Sequence, residues 1–296
     1  MRATVLSEIN IPGLPSASGL EIVGRTAYVI GDDSPDLYLL DAATLAPTGR
    51  VQLLETSGFG PARLPKLEKP DLECLVALRW PDGRPGLLLL GSGSLPNRAR
   101  GWFVPTEGHQ VPEAVDLTAL YDALRIQLPA GVALNLEAAA TTATELLLFQ
   151  RTVGRADAAL LFTLPLAAVL GFLQGNAPVP AAHQLVFELP LIDGCPAGFS
   201  GATFVDGCLF VSASVENTVD AVLDGAVLGS FVGVLDVPAG TAEFARLAWA
   251  DGRAYLCKVE GLAVRQHLAP GRFELVLVTD DDAGGSTAAV AKISLS

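Results

Sequence analysis

Residues 69–78 read KPDLECLVAL, a hydrophobic run with a single carboxylate near its start, Glu73. A solvated Glu at the end of a strand is ordinary, so the stretch is informative only because the chain repeats it. Four related stretches place a Ser or Glu before a small residue and an apolar run, followed by a polar turn and a second apolar run. The leading polar residues of the five stretches are Ser18, Glu73, Glu137, Ser200 and Glu260.

The five stretches recur at nearly constant intervals of 55, 64, 63 and 60 residues. The 36 residues after Glu260 and the first 18 residues of the chain together supply 54 residues, which is close to one further repeat. A ring of repeats that is closed by its N-terminal segment is how a β-propeller hides its edge strands. The spacing therefore indicates a closed ring of hairpins.

The sequence predicts an all-β fold, a single five-bladed β-propeller domain over residues 1–296 with a central ion-binding channel. Its N-terminal strand, near residues 3–11, is expected to pair with the C-terminal strand around AVAKISL. Short amphipathic helices are expected at residues 117–126 and 165–175. The fourth strand of the fourth repeat has no clear position in the sequence. A β-sandwich is the alternative, but it does not predict evenly spaced copies of one hairpin.

Composition limits the partners of this chain. It has 296 residues, 50% hydrophobic and 17% charged, with a formal net charge of −13. Binding to nucleic acid or to an anionic membrane needs clustered Lys and Arg, so neither partner is expected. The longest apolar run, residues 158–173, contains Pro165 and is shorter than the ~20 residues that span a bilayer. Because the N-terminus also lacks the apolar core of a signal peptide, we expect a soluble, cytoplasmic monomer.

The five leading polar residues also predict an ion site. The first strand of each propeller blade lines the central channel, so these side chains should converge on one axis. Three carboxylates in a poorly solvated channel repel one another unless they take up protons or a cation holds them. Oxygen ligands suit a hard cation, and a roomy ring suits Ca²⁺ better than Mg²⁺. The alternative is a water-filled channel. The predicted Ca²⁺ ligands, which we call the ring residues, are Ser18, Glu73, Glu137, Ser200 and Glu260.

Candidate catalytic and substrate-binding residues are expected at the same end of the channel, which we call the ring face. The second strand of each hairpin runs antiparallel to the first, so its end returns to the ring face. Arg side chains there match phosphate oxygens, and paired acids suit a water or a second cation. Asp-rich turns are also ordinary hairpin chemistry, which is the alternative reading. The candidate catalytic residues are Asp32, Asp33, Arg151, Asp280 and Asp281, and the candidate substrate-binding residues are Lys69, Arg98, Glu216 and Lys258.

The order Ser, Glu, Glu, Ser, Glu, carried by SGL, LEC, LEA, FSGA and VEGL, resembles the calcium-activated nucleotidases, the soluble apyrase family. The chain is equally similar to the bacterial phytase-like and esterase-like propellers. The resemblance implies a five-bladed propeller with a central calcium. It also implies a hydrolase that acts on a small, anionic phosphorylated or ester substrate at the channel mouth. The alternative is a non-catalytic propeller, whose structural calcium supports a binding scaffold.

Overall fold

The computed structural model describes residues 1–55, 64, 68–108, 111–152, 159–217, 225–280 and 285–295. Over these residues β-strand is the predominant secondary structure, because Val-, Leu- and Ile-rich runs alternate with tight turns. The turns use the residues that hairpins need. Asp206 and Gly207, for example, have φ angles of 52° and 79°, which suit the two central positions of a tight hairpin turn.

Three sheets contain four antiparallel strands each, and in each of them the spatial order follows the chain order. The first sheet consists of β2 (Ala17–Val23), β3 (Thr26–Gly31), β4 (Asp36–Asp41) and β5 (Pro47–Gln52). The second consists of β6 (Leu72–Arg79), β7 (Pro85–Gly91), β8 (Arg100–Pro105) and β9 (Glu113–Asp116). The third consists of β10 (Leu136–Thr141), β11 (Glu145–Gln150), β12 (Leu160–Pro165) and β13 (His183–Val186).

The remaining long strands form one eight-stranded sheet, which we call the fused sheet. Its order is β16-β17-β18-β19-β1-β22-β21-β20. The missing fourth strand of the fourth repeat is β19. The strands of this sheet are β1 (Arg2–Asn10), β16 (Gly198–Val205), β17 (Cys208–Asn217), β18 (Ala226–Asp236), β19 (Thr241–Trp249), β20 (Lys258–Ala269), β21 (Arg272–Asp280) and β22 (Ser286–Ser294).

Strand β1 joins the two halves of the fused sheet. It pairs antiparallel with β22, from Arg2 opposite Ser294 to Asn10 opposite Thr287, which confirms the predicted pairing of the two ends of the chain. It also pairs in parallel with β19, where Val5 lies opposite Trp249. The sequence did not predict this parallel contact. As a result, β1 leaves no free edge between β19 and β22.

The first strands of the repeats surround a central axis. Strands β2, β6, β10, β16 and β20 each contact the next, and β20 contacts β2. This ring of contacts is that of a β-propeller and differs from two facing sheets. Large apolar clusters fill the space between neighbouring sheets, such as the one that joins Leu88 and Phe103 of the second sheet to Leu148 and Phe162 of the third.

The short elements lie in the connections. Helices α1 (Thr118–Arg125) and α2 (Leu166–Leu173) fall within the two predicted helical segments. Neither helix in the described part of the chain has the length and apolar character that crossing a membrane requires. A small hairpin, β14 (Leu191–Ile192) and β15 (Cys195–Pro196), precedes β16.

Candidate functional site

Each ring residue occupies a β-bulge in the strand that lines the channel. In the first sheet Ala17 pairs with Gly31 and Gly19 pairs with Ile30, which leaves Ser18 unopposed. The same register shift isolates the ring residue in β6, β10, β16 and β20. A bulge bends its strand and re-aims the side chain of the extra residue. At each of the five positions that the spacing predicted, the backbone therefore departs from regular pairing.

Glycine follows the ring residue in three of the five strands and lets the inner strands approach closely. A Cβ on Gly261 would lie 2.9 Å from the backbone nitrogen of Leu20, and a Cβ on Gly201 would lie 3.0 Å from the Cα atom of Gly261. A cavity of about 10 Å³ remains between the strands. Its size suits a single water or ion. Among the ring residues, Ser18, Glu73 and Glu260 line this cavity.

The ring hydroxyls tie neighbouring inner strands together. Ser18 Oγ donates a hydrogen bond to the carbonyl oxygen of Leu72, the residue before Glu73. On the opposite side, Ser200 Oγ donates to Ser212 Oγ at 3.2 Å, and Ser214 Oγ donates to the carbonyl oxygen of Val259 at 2.7 Å. These contacts fix the strand segments that carry Glu73 and Glu260.

One group of charged residues, which we call the Arg151 cluster, consists of Glu137, Arg151, Glu216, Lys258 and Glu260. Arg151 Nη1 lies 3.2 Å from Glu137 Oε2 and 3.4 Å from both carboxylate oxygens of Glu260, while Nη2 donates to Glu216. Lys258 Nζ lies 2.9 Å from Glu260. Burial alone would lower the pKa of Arg151, but the three carboxylates raise it above its usual value. The guanidinium thus neutralises carboxylates from the third sheet and from both halves of the fused sheet.

A second group, which we call the Asp71 cluster, consists of Asp32, Lys69, Asp71 and Arg98. Asp71 accepts from Arg98 at 2.7 Å and from Lys69 at 2.9 Å, and Lys69 also pairs with Asp32 of the first sheet. The φ angle of Asp71 is 55°, an uncommon conformation for a residue with a side chain. Burial lowers the pKa of Lys69, but the charges of Asp32 and Asp71 more than offset this and raise it.

Glu73 lies between the two clusters. Burial, followed by the charges of Glu137, Asp71 and Asp32, raises its pKa well above the usual value. Burial also raises the pKa of Asp32 and of Glu137. Glu73 and the two clusters contain six carboxylates and four cationic side chains, so full ionisation would leave at least two net negative charges. Such a site gains stability from protons or from a bound cation.

The structure brings most of the predicted mouth residues together but changes their grouping. Asp280 pairs with Ser286 and Lys258 across the fused sheet, and Asp281 lies outside the described residues. The contacts of Asp32 lead to Lys69 and the second sheet. Asp33 is buried, and its carbonyl oxygen accepts from the backbone of Leu64. The contacts of Asp32 therefore group this residue with the second sheet.

Sequence reasoning missed the role of Asp71. The residue stands in the opening stretch, two positions before Glu73, yet it is not among the predicted site residues. In the structure it accepts from both buried cations of its cluster and from Ser92 Oγ at 2.5 Å. The available signal was its place two residues after Lys69 and two residues before a ring Glu.

The fold and the site define a β-propeller whose channel mouth is lined by carboxylates and buried cations. The chain belongs to DUF6929, a family of unknown function whose model matches residues 13–293. No match was found among curated proteins.

Several solved structures share the architecture at low sequence identity. Glutaminyl cyclase from Myxococcus xanthus is 12% identical, with 99% of this chain and 97% of that chain covered and a TM-score of 0.52. The tail fiber of Staphylococcus aureus phage P68 is also 12% identical, with 100% and 53% covered and a TM-score of 0.50. The β-propeller domain of Myceliophteria thermophila Swd1 is 10% identical, with 98% and 100% covered and a TM-score of 0.43. At such identities the likeness concerns the fold alone.

Proposed function

We propose that the protein is a five-bladed β-propeller that binds one divalent cation, calcium, on the channel axis. The first three sheets supply three blades. Strands β16 to β19 supply the fourth, and β20 to β22 with β1 supply the fifth. The observation that carries the proposal is the bulge at the same position in all five inner strands, because a bulge re-aims the side chain of its extra residue and all five such residues bear oxygen donors.

The chemistry and charge of the ring residues fit this ion. Ser and Glu offer only hard oxygen donors, which Ca²⁺ prefers. The excess of carboxylates over cations at the ring face would be offset by a divalent ion. The order Ser18, Glu73, Glu137, Ser200, Glu260 is also that of the soluble apyrase family, which the sequence resembles. Glu73 is the ligand that we expect to contribute most, since it lines the cavity and its carboxylate oxygen lies within 4.8 Å of carboxylate oxygens of Asp32 and Asp71.

Replacing Glu73 with Gln should weaken calcium binding at least tenfold, because the substitution removes a formal charge from the ligand set. The wild-type melting temperature should rise with calcium, since the ion binds the folded state. Ser18→Ala, which removes a neutral ligand, should weaken binding less. Calorimetric titration and thermal unfolding in calcium and in chelator measure both effects. Purified protein without calcium, together with a melting temperature that a chelator leaves unchanged, would reject the site.

The activity that we propose is hydrolysis of a small phosphorylated or ester substrate at the ring face. When bound, the cation would supply positive charge that stabilises a developing oxyanion. Oδ1 of Asp32 is buried and accepts no hydrogen bond from the described residues, so this oxygen can orient a water. Asp33, Asp280 and Asp281 would assist it. The residues proposed to hold the substrate anion are Lys69, Arg98, Arg151 and Lys258. Glu216 would orient these cationic side chains.

Asp32→Asn should lower turnover about 100-fold on whichever substrate the protein hydrolyses, because the variant orients the attacking water poorly. Purified protein should be assayed with calcium on nucleoside diphosphates, phytate and aryl esters. The matched control is Asp82→Asn in the exposed β6–β7 turn, which should retain wild-type turnover. Turnover that Asp32→Asn leaves intact would remove Asp32 from the mechanism.

The second candidate function is a non-catalytic scaffold with a structural calcium. Two observations favour it. The guanidinium of Arg151 already contacts three carboxylates, and the cavity between the inner strands is about 10 Å³, too small for an organic substrate. Calcium binding without turnover on all three substrate classes would establish this function over the hydrolase.

A further inference from the structure

Arg151 occupies part of the proposed cation shell. Its side chain is only 6% exposed, and Nη1 lies within 3.2–3.4 Å of oxygens from Glu137 and Glu260. These residues are two of the three ring glutamates. The third, Glu73, lines the cavity together with Ser18 and Glu260 and is not among the described hydrogen-bond partners of Arg151. The ring is therefore asymmetric, with one side that a guanidinium neutralises and one side that it does not.

The chain is built to hold Arg151 in this position. Nη2 donates to Glu216, whose side chain is 6% exposed, so the guanidinium spans from the ring to a carboxylate behind it. The side chain crosses strand β16 at Gly198, where a Cβ would lie 2.7 Å from Arg151 Cγ. A glycine at this position leaves the room that the arginine occupies.

We propose that Arg151 is a built-in competitor of the axial cation, an inference that rests on the cation site proposed above. A guanidinium and a divalent cation that share Glu137 and Glu260 repel each other, which weakens cation binding. Without the cation, the guanidinium compensates the same carboxylates and keeps the inner strands together. The arrangement makes the ring a reversible, low-affinity site that responds to the cation concentration, instead of a permanently filled one.

Arg151→Met should tighten calcium binding at least tenfold by calorimetry, because it removes the competing charge and keeps an apolar stem. In chelator the same variant should melt well below the wild type, and saturating calcium should restore most of the difference. A better matched control than Arg98, whose partner Asp71 lies beside Glu73, is Arg265→Met, which removes a partly buried arginine that pairs with Glu274 further along the fused sheet and should change calcium affinity less than threefold.

A second variant tests the same proposal if Arg151→Met does not fold. Gly198→Ala keeps the arginine but pushes its stem out of place, and should also tighten calcium binding. Equal or weaker binding in both Arg151→Met and Gly198→Ala, with the wild type binding calcium, would overturn the competition and leave the cation site standing. An equal gain in Arg265→Met would show that the effect depends only on the net charge of the protein, and would also overturn the competition. Absence of calcium binding in every protein, wild type included, would reject the cation site itself.

Discussion

Deleting residues 1–11 should abolish the stable fold or lower the melting temperature by at least about 10 °C. The deletion removes β1, which pairs with β22 along its length and with β19 at Ala3, Thr4 and Val5. Two strand edges would be exposed at once, one on each half of the fused sheet. Thermal and chemical unfolding of the truncated and full-length chains measure the loss.

Two single substitutions test the same contact without changing chain length. Val5 is fully buried, whereas the side chain of the next residue, Leu6, is 44% exposed. Val5→Ala should cost about 2 kcal/mol of unfolding free energy, and Leu6→Ala should cost less than about 0.5 kcal/mol. A truncated chain that melts like the full-length protein would show that β1 does not close the structure. Equal losses in the two point variants would argue that β1 is held by its backbone alone.

The sequence predicted the inner strands and the positions of the ring residues because one local sequence pattern occurs five times. A Ser or Glu, a small residue and an apolar run reappear at each strand, so Ser18 and Glu260 could be aligned without any knowledge of their partners. The pairing of β1 with β22 followed from counting, since the two chain ends together make one repeat. These are features that spacing and composition encode directly.

Contacts between distant repeats could not be predicted in the same way. Arg151 contacts Glu216 and Glu260, which lie 65 and 109 residues away in the sequence. The local sequence around Arg151 does not show whether its guanidinium contacts three buried carboxylates or lies in solvent. The parallel contact of β1 with β19 depends on the relative placement of two sheets, which no single strand sequence specifies. Asp71 was missed for a related reason, since an Asp before a strand is an ordinary turn residue.

Asp71→Asn should cost about 3 kcal/mol of unfolding free energy, because it leaves two buried cations with reduced compensation. The side chains of Lys69, Arg98 and Asp71 are 12%, 11% and 7% exposed, so solvent screens their interactions poorly. Asn tolerates the positive φ angle of this position and retains an oxygen for Ser92. The loss of unfolding free energy would therefore result from the missing charge and not from backbone strain.

The matched control is Asp82→Asn. Asp82 also accepts from an arginine, Arg84, but the two side chains are 45% and 41% exposed. An exposed pair contributes little, so this variant should unfold at nearly the same denaturant concentration as the wild type. Chemical unfolding of both variants in chelator separates the ion pairs from any bound cation. If Asp71→Asn were as stable as Asp82→Asn, Lys69 and Arg98 would be compensated by Asp32 and Ser94 alone. The strained conformation of Asp71 would then be explained by substrate or cation binding at the ring face and not by the stability of the propeller.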